Sequence, residues 1–204
     1  MLEEGARADI GLSWTRFGRQ GWENTLAVGR VFRFDDDGPF TAASGLDGDA
    51  SDWLISGRLS TAGAIDLIGR LLLDEELAVT KNELRLNWTT NRLNLATTYA
   101  YLRADLEEDR RDVSSELALD TSFDLNANFT ALADWRYDFN EEATTEAGLG
   151  LVYTKECVEL RLSISRSFTS SASVSPSTEF GFTVGLRGFG TGPEPRRVAS
   201  NCNA

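Results

Sequence analysis

The stretch ECVELRLSISRSFTSSASVSPSTEFGFTVGLRGFG, residues 156–190, decides the fold. Apolar side chains alternate with polar ones from Val158 to Phe168, interrupted at Arg166, and the alternation resumes from Phe180 to Leu186. Successive side chains of a β-strand point to opposite faces of a sheet. This period of two therefore predicts an antiparallel hairpin with one apolar face and one polar face.

The same alternation recurs along the rest of the chain. We predict eleven strands, at residues 7–17, 22–34, 52–60, 64–73, 77–89, 92–103, 113–122, 127–139, 143–154, 156–168 and 178–189. Many of them are longer than the 5–6 residues typical of soluble proteins and reach the roughly 9–11 that a membrane-spanning strand needs. The alternation breaks at residues 81–83, which predicts a β-bulge there.

The connections between the predicted strands differ in length at the two ends of the sheet. If neighbouring strands are antiparallel, the three long connections, 35–51, 104–112 and 169–177, all lie at one end. Outer-membrane barrels have short periplasmic turns and longer extracellular loops. The C-terminal end of the last strand is therefore expected on the periplasmic side.

Aromatic residues cluster near the ends of the predicted strands, as in the two girdles of a membrane barrel. The long-loop end has Phe32, Phe34, Trp53, Phe139, Phe168 and Phe180, and the other end has Trp14, Trp22, Trp88, Phe123 and Phe189. We therefore predict an all-β fold that supplies about eleven strands of a larger transmembrane antiparallel barrel. Two alternatives stay open: a porin-like diffusion barrel, and a soluble β-sandwich or lipocalin-like binding protein whose aromatic residues fill a core.

Composition excludes several classes of function. The 204 residues carry a formal charge of −12, which argues against nucleic acid as a partner. The absence of histidine removes the usual general base and histidine-ligated metals, which weakens the case for an enzyme such as a protease or phospholipase. We predict no enzyme, no catalytic residue, no cofactor and no metal site. Residues 35–49 carry five aspartates, but their spacing matches no EF-hand and favours a solvated acidic loop over a Ca²⁺ site.

Several short segments carry a resemblance to a known family. They are DWRYDF at 134–139, EAGLGL at 146–151, YTKEC at 153–157, RSFTSS at 166–171, PSTEFG at 176–181 and GFG at 188–190, with SGLDG at 44–48 and SDWL at 51–54 earlier. In these segments the chain resembles the C-terminal barrel region of the lipopolysaccharide-assembly outer-membrane proteins, the LptD/OstA family. The likeness is most specific over 134–190 and is strongest to alphaproteobacterial members.

The resemblance implies a place and a role. It implies that residues 1–190 are part of a larger barrel in the cell outer membrane and that residues 191–204 are a flexible periplasmic tail. The implied function is transport of lipopolysaccharide and its insertion into the outer leaflet. The implied partners are lipopolysaccharide, a plug lipoprotein, and a periplasmic transport bridge reached through an N-terminal domain that this sequence lacks. On this basis we expect a C-terminal fragment or a truncated gene product.

The last strand is the main candidate site. The resemblance places it beside the lateral opening of the barrel, which assigns a gate role to Phe180, Gly181, Phe182, Thr183, Val184, Gly185 and Leu186. Its glycines fit either a weakly paired strand or a need for twist and close packing. On the polar face, Arg136, Glu159 and Arg161 are predicted to face a wet lumen, either binding sugars and phosphates or forming ion pairs.

The two cysteines, Cys157 and Cys202, both fall at the predicted periplasmic end. The periplasm is oxidising, so a disulfide is expected there. In the resembled family a cysteine at the position of Cys157 bonds to the N-terminal domain, so that pairing and a Cys157–Cys202 pairing both stay open. Two unpaired thiols are the third alternative.

Overall fold

A single antiparallel sheet contains every strand of the described chain. The computed structural model describes residues 6–34, 40–41, 44–106, 109–169 and 175–186. The strands are β1 Arg7–Phe17, β2 Glu23–Arg33, β3 Trp53–Ser60, β4 Ile65–Leu73, β5 Val79–Thr89, β6 Leu93–Leu102, β7 Ser114–Asp124, β8 Phe129–Asp138, β9 Ala143–Lys155, β10 Val158–Ser167 and β11 Ser177–Leu186. Each strand pairs with its neighbours in sequence, so the order in the sheet is β1 to β11. The all-β prediction is confirmed.

The bounds of the strands agree with the sequence prediction to within two residues, except at the end of β11. Residues 187–189 of that predicted strand, and the predicted tail 191–204, lie outside the described residues. Within the described ranges, no helix is long and apolar enough to cross a membrane.

The connections sort by length between the two ends of the sheet. Residues 18–22, 61–64, 90–92, 125–128 and 156–157 make short turns at one end, which we call the turn end. The other end, the loop end, has the three longest connections, 34–52, 103–113 and 168–176. The predicted asymmetry of the connections is thus present, and the assignment of the turn end to the periplasm stays a prediction.

The register of the strands extends one apolar face and one polar face across the whole sheet. In one cross-strand row, Ala133, Leu149, Ile164 and Phe180 lie side by side from β8 to β11. The apolar face includes Leu12, Leu26, Ile55, Leu67, Leu84, Leu95, Leu119, Leu149, Leu162 and Phe182. The polar face includes Arg58, Asp66, Glu83, Arg85, Glu116, Asp120, Asp134, Arg136, Glu159 and Arg161.

Neither face is covered by a second layer in the described part of the chain. Val152 is the one buried hydrophobic residue among the described residues, whereas large apolar side chains such as Leu12 and Leu149 are 72% and 64% exposed. A soluble sandwich buries the inner faces of two sheets against each other. The described residues form one open sheet, so the sandwich alternative is wrong, and the sheet is consistent with part of a larger barrel.

Two β-bulges interrupt the ladder of paired strands. The first adds Thr80 to β5, opposite the step from Leu72 to Leu73, so the bulge predicted at 81–83 is displaced by one residue. The second adds Thr145 to β9, opposite the step from Arg136 to Tyr137, and was not predicted. A bulge redirects a side chain, and the first one turns the Thr80 hydroxyl to donate a 2.6 Å hydrogen bond to Asp52.

Candidate functional site at the open edge and on the polar face

The last strand, β11, is an edge of the described sheet. Its ten residues pair with β10 without a register shift, from Ser177 opposite Ser167 to Leu186 opposite Val158. Within the described residues no strand pairs with its other side. An edge strand presents a row of main-chain N–H and C=O groups that can accept another strand. The seven residues predicted for a gate therefore lie where a strand could bind.

The two faces of β11 differ sharply in chemistry. Phe180, Phe182, Val184 and Leu186 lie on the apolar face and are 80%, 67%, 53% and 61% exposed. Gly181, Thr183 and Gly185 lie on the polar face, opposite Ser163, Arg161 and Glu159. The free edge therefore separates a fully apolar surface from a polar surface within a single strand.

The two glycines of β11 have different steric surroundings. A Cβ atom added at Gly181 would lie 2.4 Å from the Ser163 Oγ, so the serine hydroxyl occupies the space above this glycine. A Cβ atom added at Gly185 would make only an ordinary contact, 3.8 Å from the Glu159 Cβ. A Cβ atom at Gly181 would therefore require the Ser163 hydroxyl to rotate away, whereas one at Gly185 would fit, and weak strand pairing stays a prediction.

An ion pair defines the environment of Arg136 on the polar face. Its Nε lies 3.2 Å from the Oε2 of Glu146, and the two side chains are 58% and 44% exposed. A pair at this exposure contributes little stability, about 0–1 kcal/mol. Arg136 therefore has an ion-pair partner on the polar face, and its position beside a lumen stays a prediction.

The three predicted lumen residues share the polar face but form no single cluster. Arg136 is on β8, whereas Glu159 and Arg161 are on β10, with the whole of β9 between the two strands. Arg161 lies opposite Val152 and Thr183, and Glu159 lies opposite Thr154 and Gly185. Sequence reasoning missed Glu146, because the register that brings it to Arg136 depends on the bulge at Thr145.

A band of carboxylates occupies the polar face of β7 and β8. Glu116 lies directly opposite Asp138, and Asp120 lies directly opposite Asp134. Like charges in directly opposed positions repel each other, so this band makes the polar face locally unfavourable for anions. No group of three or more potential metal ligands comes together in the described part of the chain.

Comparison with known protein families shows to which family the chain belongs. The family model for LptD, described as LPS transport system D, matches residues 1–114, which is more than half of the chain. The chain belongs to the LptD family. LptD proteins are outer-membrane proteins of lipopolysaccharide transport and assembly, and they are not an enzyme family. A search of curated proteins found no match.

The LptD family match and the sequence resemblance overlap only in part, since the resembling segments at 44–48 and 51–54 lie inside the match. The matched residues 1–114 run from β1 to the start of β7. The segment in which we found the most specific likeness, 134–190, lies beyond the match, so its assignment to the C-terminal barrel region stays a prediction.

In this LptD family member residues 44–52, at the end of the connection from β2 to β3, fold against the sheet at the loop end. Arg33 donates to the carbonyl of Leu46, and the Arg30 Nε donates a 2.5 Å hydrogen bond to the carbonyl of Ser51. The Thr80 hydroxyl holds Asp52, and Ser51 and Thr80 are each only 4% exposed. These contacts enclose a hollow of about 340 Å³ with a largely apolar lining that includes Gly11, Gly29, Val31, Leu54, Leu72 and Leu46.

The acidic loop of this connection lies partly outside the described residues, which exclude Asp35, Asp36 and Asp37. Asp47 and Asp49 are exposed. The two of the five aspartates that are described are thus exposed to solvent, as predicted from the sequence for this loop.

The turn between β4 and β5 is organised by Asp74. Its Oδ1 accepts the main-chain N–H groups of Ala78 at 2.8 Å and Glu76 at 3.1 Å, and its Oδ2 accepts the Arg103 Nη1 at 2.7 Å. The hydrogen bond from Ala78, followed by that from Arg103, lowers the pKa of Asp74 below its ordinary value of 3.8. Leu77 completes the turn with a φ of 62°.

We expect the stabilisation from Asp74 to be lost only in strong acid. Because its folded pKa is lowered, its contribution is fully present above pH 3.8 and disappears as the pH falls through the lower folded pKa. The measurement is the carboxyl carbon chemical shift of Asp74 against pH. Its midpoint should lie below 3.8 and should move up, but not the whole way, in Arg103→Gln, because the Ala78 N–H still donates. A midpoint unchanged by that substitution would contradict the role of Arg103.

Cys157 follows Glu156 in the two-residue turn between β9 and β10, where Glu156 has a φ of 49°. Cys157 is disulfide-bonded in the structure, so the alternative of two unpaired thiols is wrong for this residue. Cys202 lies outside the described residues, and the predicted Cys157–Cys202 pairing stays a prediction.

Proposed function

We propose that this chain forms the side of an outer-membrane lipopolysaccharide translocon at which the barrel opens. In this proposal the apolar face contacts the lipid tails of the cell outer membrane, and the polar face lines the aqueous lumen. The strand β11 borders the lateral opening through which lipopolysaccharide enters the outer leaflet. Family membership supports the transport role, and the geometry of the sheet supports the more detailed assignments.

The observation that carries the proposal is a single sheet with two chemically distinct faces and an edge at β11 with which no further strand among the described residues pairs. Lipopolysaccharide has an apolar and a polar part, and its insertion moves the two parts along different surfaces. At the free edge, Phe182 lies on the apolar face and Thr183 lies on the polar face. An amphipathic lipid leaving a lumen past such an edge keeps each of its parts in a suitable environment.

The direction of the strands bears on how the barrel closes. Neighbouring strands are antiparallel throughout, so β1 and β11 run in the same direction. Direct pairing of β1 with β11 would therefore be parallel. A closed antiparallel barrel containing this sheet needs an odd number of further strands, which gives the even total usual in bacterial barrels. Closure matters because unpaired main-chain groups in hydrocarbon cost several kcal/mol each.

The remaining partners follow from the polar face and the turn end. Arg136, Glu159 and Arg161 contribute to the lumen wall, beside which a plug lipoprotein would sit. The disulfide at Cys157 lies at the turn end, which we assign to the periplasm, where the transport bridge delivers lipopolysaccharide.

The test is site-specific photocrosslinking in growing Gram-negative cells. A photoreactive amino acid replaces Thr183 on the polar face of β11 or, as the matched control, Thr98 on the polar face of β6. After irradiation, the protein is purified and probed for covalently attached lipopolysaccharide. We expect adducts at Thr183 and few or none at Thr98, because only β11 borders the opening.

Equal adducts at both positions, or none at Thr183, would overturn the gate assignment. Absence of lipopolysaccharide adducts together with increased entry of small solutes into cells expressing the chain would support the porin-like alternative instead.

A further inference from the structure

A groove crosses the apolar face of the last three strands. It has a volume of about 540 Å³ and is lined by nine residues: Leu149, Gly150, Leu151, Leu162, Ser163, Ile164, Phe180, Gly181 and Phe182. Every large side chain among them is apolar. The groove is an open depression in the exposed apolar surface.

The register of the strands explains the shape of the groove. One wall is the cross-strand row Leu151, Leu162 and Phe182, and the other is the row Leu149, Ile164 and Phe180. These rows are two residues apart along each strand, about 6.8 Å. Between them lies the row Gly150, Ser163 and Gly181, whose side-chain positions face the polar side, so only main chain forms the floor. The groove thus runs across the strands.

The groove reaches the free edge of the sheet. Its last residues, Phe180 and Phe182, belong to β11 and are among the most exposed apolar residues of the described chain, at 80% and 67%. The groove is continuous with the apolar face, which the proposed function places against the lipid of the membrane. One of its ends therefore opens where the proposed function places the release of lipid.

Size and chemistry limit what can occupy the groove. A stable protein–protein interface uses about 20–30 residues on each side, and nine residues line this groove, so a second copy or a partner protein does not fit its scale. None of the nine is charged, so neither a phosphate nor an acidic or basic peptide finds a complementary partner. A single hydrocarbon chain requires only apolar walls.

We propose that this groove binds one acyl chain of lipopolysaccharide as the lipid passes the edge of β11. This inference rests on the proposed function, because the transported lipid is taken from it. The two phenylalanines form the entrance, and Leu162 and Ile164 form the middle of the two walls. The acyl chain lies across the strands in the groove, with its polar end directed past the free edge.

The test measures labelling of the full chain in phosphatidylcholine vesicles by a saturated fatty acid with a terminal diazirine. Irradiation links the probe to nearby residues, and peptide mass spectrometry locates the adducts. Leu162→Trp fills the groove with a larger side chain. Leu84→Trp is the matched control, because Leu84 lies on the same apolar face, outside the groove, and is 43% exposed against 53% for Leu162.

We expect adducts to concentrate on groove residues and to fall about tenfold in Leu162→Trp. A tenfold loss of binding corresponds to roughly two methylene groups of the probe that are no longer buried in the groove. Leu84→Trp should leave the groove adducts unchanged. Added lipopolysaccharide should displace the probe from the groove, whereas the same amount of extra phosphatidylcholine should not.

Three results would overturn the proposal: adducts spread over the apolar face in proportion to exposure, insensitivity to Leu162→Trp, or equal competition by phosphatidylcholine. A second variant, Ile164→Trp, blocks the groove from the other wall and covers the case in which Leu162→Trp fails to fold. This assay contains no transport step, so its failure removes the groove alone, whereas failure of crosslinking at Thr183 removes the proposed function.

Discussion

The substitution Leu149→Arg will weaken the association of the sheet with a bilayer by about 2–4 kcal/mol. This is the cost of placing a cationic side chain on the lipid-facing surface near the middle of a membrane. Leu149 is the central residue of β9 on the apolar face, 64% exposed and flanked by Ala133 and Ile164. The measurement is the free energy of release from phospholipid vesicles, obtained by urea titration of tryptophan fluorescence.

Leu132→Arg is the matched control for this prediction. Leu132 is also near mid-strand, on β8, but it lies on the polar face opposite Ser122 and Gly150, close in sequence to Asp134. An arginine there reaches water and a carboxylate, so the change in free energy should stay below about 1 kcal/mol. Equal costs at Leu149 and Leu132 would mean that the apolar face does not meet lipid.

The strands could be predicted from the sequence because the two faces of the sheet differ in polarity along every strand. Where one face meets an apolar environment and the other a polar one, selection acts on every second residue, and the alternation from Val158 to Ile164 reports this directly. The bulges were harder to place, because inserting Thr80 or Thr145 changes the local pairing while altering the apolar pattern by a single residue.

The candidate site could be predicted only in part. The position of Arg136 on the polar face follows from the period of two, but its pairing with Glu146 requires the relative register of β8 and β9. The contact between Thr80 and Asp52 joins residues 28 positions apart, with β3 and β4 between them. No local pattern encodes such a contact. The groove on the apolar face of β9 to β11 could likewise not be predicted from the sequence, because it depends on the alignment of three strands.

Proline substitution along β11 should show an alternation that proline substitution along β10 does not. In an antiparallel pair, the N–H groups of successive residues point alternately towards the partner and away from it. On an edge strand, proline at the positions facing β10 removes a ladder hydrogen bond and leaves a carbonyl of β10 unpaired, which costs about 1–3 kcal/mol, whereas proline at the other positions is much less damaging. Consecutive positions from Phe182 to Gly185 provide the scan.

The matched scan covers Leu160 to Ile164 in β10, which pairs on both sides, with β9 and β11. There, proline removes a hydrogen bond at every position, so the urea midpoint should fall uniformly. A uniform fall along β11 as well would mean that its outer side is already paired, and the open-edge description would be wrong. When a further strand binds to β11, the alternation should disappear, because the N–H groups that pointed away then have partners. The contrast between the two states would therefore report directly whether the proposed gate is open or closed.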